Sequence, residues 1–153
     1  MRTTFKGRYV LKNPQKYVGN PNNVICRSSW EYHVCEFFDT HPSVKRWASE
    51  EFAVPYVSPV DGRVHKYYPD FLVTYQNRAG ETITELVEVK PSHETRVVKK
   101  MTPEAMQKLA VNEAKWAAAA AFGAKNGIRF KVVTENELFR GSTPPSKARR
   151  KKK

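Results

Sequence analysis

The sequence predicts an α/β domain with elements in the order α-β-β-β-α-β, a mixed four-stranded sheet flanked by helices. Three observations carry this. Two β-rich runs, 64–75 and 81–90, surround the turn-forming stretch Gln76-Asn77-Arg78-Ala79-Gly80. A long alanine-rich helical pattern runs from Thr102-Pro103-Glu104 to Asn126-Gly127, and a shorter amphipathic helix precedes all of these. At 153 residues the chain suits one domain, able to bury about two-thirds of the surface its unfolded form exposes.

Residues 1–26 read as an extended N-terminal arm, because Asn, Pro, Gly, Lys and Tyr alternate there without steady periodicity; little regular structure is expected over 1–25. The core spans 27–140. Ser28 is the N-cap candidate of its first helix, Trp30, Val34, Phe37 and Phe38 form the apolar stripe, and His41-Pro42 ends it. A first strand is predicted over 51–57, interrupted by Pro55, and Pro59-Val60-Asp61-Gly62 reads as a turn. The runs 64–75 and 81–90 then form an antiparallel hairpin. In the long helix Thr102 is the cap, Pro103 the first helical residue and Gly127 the stop. Residues 128–134 make a fourth strand and 135–140 a short helix. The segment 141–153 is expected to be a disordered basic tail.

The formal charge is +12 and the pI about 9.8, which favours a polyanionic partner, nucleic acid first. Half of that excess sits in Lys147, Arg149, Arg150, Lys151, Lys152 and Lys153, so the body is basic without its tail. Cys26 and Cys35 lack metal-ligand spacing and read as free thiols of a reducing compartment. No run approaches the roughly 18 apolar residues of a membrane span, and Met1-Arg2-Thr3-Thr4 does not open a signal peptide; a soluble, cytoplasmic protein is expected.

The chemistry concentrates in Tyr68-Pro69-Asp70-Phe71-Leu72 and Leu86-Val87-Glu88-Val89-Lys90. Glu88 and Lys90 are two apart on one strand and share a face. Reflecting Asp70 through the 76–80 loop sets it opposite residue 86 or 88, and parity keeps it on that same face either way. Two carboxylates so placed repel unless a cation lies between them, and hard oxygen donors suit Mg²⁺. Such a metal would polarise a phosphate and acidify a bound water, with Lys90 orienting that water or neutralising charge on phosphorus. A solvated hairpin face would carry charges too, but the apolar neighbours Phe71, Leu72, Val73, Leu86, Val87 and Val89 mark these as inner, covered strands.

Pro69-Asp70 followed by Glu88-Val89-Lys90 resembles the PD-(D/E)xK nuclease signature. Further stretches are similar to the head-completion nucleases of T-even-type tailed phages: Lys6-Gly7-Arg8-Tyr9, Asn13-Pro14-Gln15-Lys16-Tyr17-Val18-Gly19-Asn20-Pro21, Arg27-Ser28-Ser29-Trp30-Glu31, Glu88-Val89-Lys90-Pro91 and 125–135. The resemblance covers 6 to about 138 and implies a restriction-endonuclease-like fold. It implies a metal, Mg²⁺ with Mn²⁺ as substitute, held by Asp70, Glu88 and the Val89 carbonyl, with Lys90 catalytic and Glu31 as an auxiliary acid. It also implies hydrolysis of DNA phosphodiesters during head completion and packaging, portal or neck proteins as partners, and action in the host cytoplasm or the virion. A non-catalytic head or neck protein gripping the packaged DNA end, and a junction-resolving endonuclease, remain alternatives. The basic tail after Gly141 departs from the family.

Other residues have two readings each. Glu31 stands three after Ser28, as a capping box requires, and lies at the border of the apolar stripe where it can also face the site. Lys115 either belongs to a packing helix or points at the site. Lys66 and Arg96 flank the motif as candidate phosphate contacts, as do Lys6, Arg8 and Lys16 in the tyrosine-containing arm, which suits DNA contact or docking on a capsid protein. His65 and His93 read as structural.

Overall fold

The computed structural model of the chain describes residues 7–138. In chain order its elements are β1 (Gly7–Arg8), β2 (Ile25–Cys26), α1 (Ser29–Thr40), β3 (Val44–Ser49), β4 (Val54–Val57), β5 (Val64–Tyr67), β6 (Phe71–Gln76), β7 (Thr82–Val89), α2 (Pro103–Asn126), β8 (Arg129–Val133) and α3 (Glu135–Leu138). The central sheet has the order β3-β6-β7-β8, antiparallel except for the parallel β7/β8 pair. It is the mixed four-stranded sheet between helices that the sequence predicts, with α1 on one face and α2 on the other.

The first sheet strand is not where the sequence places it. It is β3, while the predicted 51–57 strand shrinks to β4 and leaves the sheet to pair with β5 in a separate two-stranded ribbon. A register shift between Val44 and Arg46 puts Lys45 and Arg46 side by side in solvent, so β3 lacks the alternation that identifies a half-buried strand. The predicted run 64–75 is likewise split, into β5 and β6. Pro69 has no N–H for a ladder and stands at the break, where the chain turns from the ribbon into the sheet. The order α-β-β-β-α-β survives with the ribbon as an insertion after β3.

The helices follow their local signals. In α1 the Ser28 hydroxyl accepts the Glu31 N–H at 3.2 Å, and Glu31 returns a bond from its Oε1 to the Arg27 N–H at 3.0 Å. In α2 the Thr102 hydroxyl accepts the Ala105 N–H at 3.1 Å. The helix stops at Gly127, whose φ of +70° suits a residue without Cβ, and the Ile128 N–H reaches back to the Gly123 carbonyl at 2.9 Å. A methyl at Gly123 would overlap the Ile128 carbonyl, so this glycine permits the tight return from α2 into β8.

Two apolar clusters sandwich the sheet. Trp47 centres the first, packed by Tyr9, Tyr17, Phe38 and Phe71 with ring centroids 4.9 to 6.3 Å away, and truncating it would cost about 3–5 kcal/mol. Leu86, Val54, Tyr56, Tyr67 and Ala119 form the second, under α2. Alternation along β7 therefore sends Val87 and Val89 toward α1, and Leu86 and Glu88 toward α2.

The N-terminal segment lies across the body and is packed into its core. Tyr9, Tyr17, Val24 and Cys26 are core residues, β1 pairs with β2, and buried Asp39 of α1 ties the segment down. Asp39 accepts the Tyr9 hydroxyl at 2.8 Å and the N–H groups of Lys12 and Asn13 at 2.7 and 2.9 Å. Contacts made across 26 to 30 residues of sequence leave no periodic signal in the segment itself. Cys26 and Cys35 are free and buried, their sulfur atoms 3.4 Å apart. Lys6 and the tail predicted over 141–153 lie outside the described residues. No helix among the described residues is long and apolar enough to cross a membrane.

Candidate active site

The register Phe71↔Val87 and Leu72↔Leu86 sets Asp70 opposite Glu88, the second of the two pairings that parity allows. Asp70 ends the turn that follows Pro69, and its Oδ2 accepts the Val89 N–H at 2.8 Å. This bond anchors one oxygen to β7 and leaves the other for chemistry. Glu88 is almost wholly buried. Its Oε1 accepts the Tyr67 hydroxyl at 2.6 Å, and its Oε2 lies 4.0 Å from the Lys90 ammonium.

Both acids hold their protons more tightly than ordinary carboxylates do. For Asp70 the main cause is burial, followed by repulsion from Glu88 and Glu31, against which the Val89 N–H is a partial compensation. Burial raises Glu88 too, and is opposed by the Tyr67 hydrogen bond, by Lys90, by the Asp70 N–H and by Lys115. Tyr67 is itself pushed upward, first by burial and then by the Glu88 charge, so it stays a neutral donor.

Lys115 projects from α2 to within 5.9 and 5.7 Å of the Tyr56 and Tyr67 ring centroids, in cation–π range, and its charge reaches Glu88. A cleft of about 710 Å³ opens beside this corner, with Lys90, Lys108, Asn112 and Lys115 on its walls together with Glu94 and Glu104. A second cavity, about 680 Å³ and mostly apolar, lies on the opposite sheet face against α1. Neither acid lines either cavity, and the first adjoins Glu88 through Lys90 and Lys115.

The remaining candidates divide. Glu31 is buried, completes the helix cap and adds its charge to the surroundings of Asp70. Val89 lends its N–H to Asp70 and is buried. Lys16 is turned elsewhere: its ammonium donates to the Asp39 and His41 carbonyls at 3.1 and 2.9 Å. Those carbonyls end α1, about 12 Å along the helix from Glu31 at 1.5 Å per residue. Arg8 is exposed on β1, and Lys66 is exposed on the outer face of the ribbon, alternate to buried Tyr67. The Arg96 guanidinium donates to the Ser92 carbonyl at 2.7 Å and stays in solvent. His65 bonds Asp61 at 2.9 Å across the ribbon turn, as a structural histidine does.

Sequence reasoning missed Tyr67. Tyr67-Tyr68 offers two adjacent tyrosines, and only the β4/β5 pairing decides that the first faces inward. It also missed Arg27 and Glu50, which pair through Nε–Oε2 and Nη2–Oε1 contacts of 2.9 and 2.8 Å.

No three His, Cys, Asp or Glu side chains among the described residues form a ready metal cluster. The donor set is smaller: half-buried Asp70 and buried Glu88, which repel one another. A divalent cation fits there, because hard oxygen donors of like charge lose their mutual repulsion around it.

An α-β-β-β-α-β core that sets Pro69-Asp70 beside Glu88-Val89-Lys90 has the architecture of the PD-(D/E)xK nucleases. The family model described as "TnsA-like endonuclease N terminal" matches residues 41–135. The head completion nuclease of Enterobacteria phage T4 is 31% identical over 142 residues, covering 88% of this chain and 93% of that protein. The chain belongs to the TnsA-like endonuclease family of PD-(D/E)xK nucleases and is related to the phage head completion nuclease.

Proposed function

We propose that the protein is a metal-dependent deoxyribonuclease that hydrolyses DNA phosphodiesters during phage head completion. The observation that carries this reading is the Asp70–Glu88 pair, a half-buried and a buried carboxylate that repel one another, with Lys90 and Lys115 alongside. Asp70, Glu88 and the Val89 carbonyl would hold Mg²⁺, with Mn²⁺ as a substitute. When bound, such a cation supplies Lewis acidity toward the phosphate and lowers the pKa of water.

The protein's own groups do the rest. Tyr67 fixes one oxygen of Glu88, so the other is presented in one direction. Lys90 reaches that second oxygen and brings an ammonium to the place where negative charge builds on the phosphorus. Lys115, held over two aromatic rings, neutralises phosphate at the wall of the cleft. Glu31 braces the α1 cap and adds negative charge beside Asp70. The basic body supplies affinity for DNA that falls with salt. The relationship to a head completion nuclease supports a role at the packaged DNA end, with portal or neck proteins as neighbours.

The test is direct: linear and supercoiled DNA incubated with Mg²⁺ and the wild type, Asp70→Ala or Lys90→Ala. Cleavage by the wild type alone is the expected result. Equal, background cleavage by all three would leave only a DNA-gripping structural protein.

A further inference from the structure

Arg27 stands just before the α1 cap and is bonded to two acids, Glu31 and Glu50. Its backbone N–H donates to Glu31 Oε1 at 3.0 Å, and its guanidinium forks onto both oxygens of Glu50 at 2.9 and 2.8 Å. The Glu50 N–H in turn donates to the Asp70 carbonyl at 3.1 Å. One continuous set of bonds thus runs from Glu31 through Arg27 and Glu50 to the peptide that carries the candidate metal ligand.

Two features set this ion pair apart from an ordinary surface bridge. Glu50 has φ of +54°, the one non-glycine residue in the left-handed region among the described residues, so its side chain is aimed from a backbone that glycine would adopt with less strain. The fork is also open to solvent, with 52% of the Arg27 side chain exposed against 27% of Glu50. A planar guanidinium that grips a carboxylate with two parallel bonds has the same fit to a phosphate.

The placement of charge supplies the need. Glu88, Lys90 and Lys115 belong to the α2 side of the sheet, while Glu31, Glu50 and Arg27 meet Asp70 from the α1 side. A DNA strand crossing the acids meets cations on the first flank, and on the second it meets the partly exposed Glu50 carboxylate, backed by the charge of buried Glu31, with Arg27 on it. Without a cation there, that flank would repel the backbone.

We propose that Arg27 is a phosphate-binding residue of this nuclease, seated on Glu50 until DNA arrives, and that it takes a backbone phosphate next to the one that is cut. Glu50 acts as the stand-in anion that keeps the guanidinium oriented. This rests on the nuclease reading above.

Single-turnover cleavage at varied DNA concentration separates the roles. Arg27→Gln raises the half-saturating DNA concentration about tenfold with the maximal rate within about threefold, and lowers the salt slope of binding by about 0.9. Arg27→Lys recovers part of the loss. Glu50→Gln, and Glu50→Gly as a variant that keeps the left-handed backbone, shift half-saturation the opposite way, to lower DNA concentration, because the arginine is released. In a short duplex with each phosphate in turn replaced by neutral methylphosphonate, one position near the cut weakens the wild type but not Arg27→Gln. A merely structural bridge gives shifts of the same sign for Arg27→Gln and Glu50→Gln and no such blind position, and either result overturns the proposal. A wild type that cuts no DNA sinks the nuclease reading and this inference with it, whereas a wild type that cuts equally well with Arg27→Gln sinks only this one.

Discussion

Asp39 and Asp70 are both partly or wholly withdrawn from water near helix α1, and they are held in opposite ways. Asp39, fully buried, receives a tyrosine hydroxyl and two backbone N–H groups, so its charge is matched by donors that the fold delivers. Asp70 receives the Val89 N–H and faces the repulsion of Glu88 and Glu31. A buried acid saturated with donors is a fastener. One packed against other acids stores unfavourable charge that only a proton or a cation relieves, and that is what a hydrolytic site requires.

The sharpest break of this comparison is the same substitution at each position. Asp70→Asn keeps an oxygen for the Val89 N–H while removing one of two repelling charges. Cleavage should fall about 10³-fold, with Tm unchanged or higher; a loss of Tm instead would make Asp70 a fastener too. Asp39→Asn does the reverse, because an amide NH₂ must face one of three donors. It should cost about 2–3 kcal/mol, a fall in Tm of about 10 °C, while cleavage per folded molecule stays within about twofold, checked by thermal melts and active-site titration.

Acidity separates the regions next. Asp70 and Glu88 have folded pKa values above their unfolded ones of about 4. The metal-free folded state therefore binds more protons in the window above that value. The pair's contribution to stability is complete below about pH 4 and is lost as pH rises through the raised folded values. Denaturant melts without metal should show the stability of wild type relative to Asp70→Asn declining from pH 4 toward neutrality. Mg²⁺ added at pH 8 should raise the wild-type Tm and leave that of Asp70→Asn/Glu88→Gln unmoved. A flat pH difference would mean that folding leaves the Asp70 pKa where it is in the unfolded chain.

Tyr67→Phe gives the smallest expected effect. The hydroxyl lowers the Glu88 pKa, so its loss raises that value and moves the acid limb of the pH–rate profile to higher pH. The rate at neutral pH should fall about fivefold, the equivalent of about 1 kcal/mol. An unshifted limb would leave Tyr67 as packing alone.

Legibility followed the range of the interaction. The Ser28 and Thr102 caps and the Gly127 stop were readable because donor and acceptor lie within one helical turn. The Asp70–Glu88 pairing was readable because a short hairpin loop preserves parity. Strand β3 was hidden by its register shift, and Lys16 looked like a DNA contact because nothing near it in sequence reveals the α1 carbonyls that claim its ammonium.

From residue order alone came the α-β-β-β-α-β succession, the common face of Asp70, Glu88 and Lys90, and the basic character of the body, all consequences of local periodicity and charge. Which tyrosine braces Glu88, that Lys115 faces the acids, and that Arg27 grips a strained Glu50 were decided by packing. A helix's rotation and a strand's departure from the sheet depend on surfaces contributed by distant segments, and a linear pattern carries no record of those.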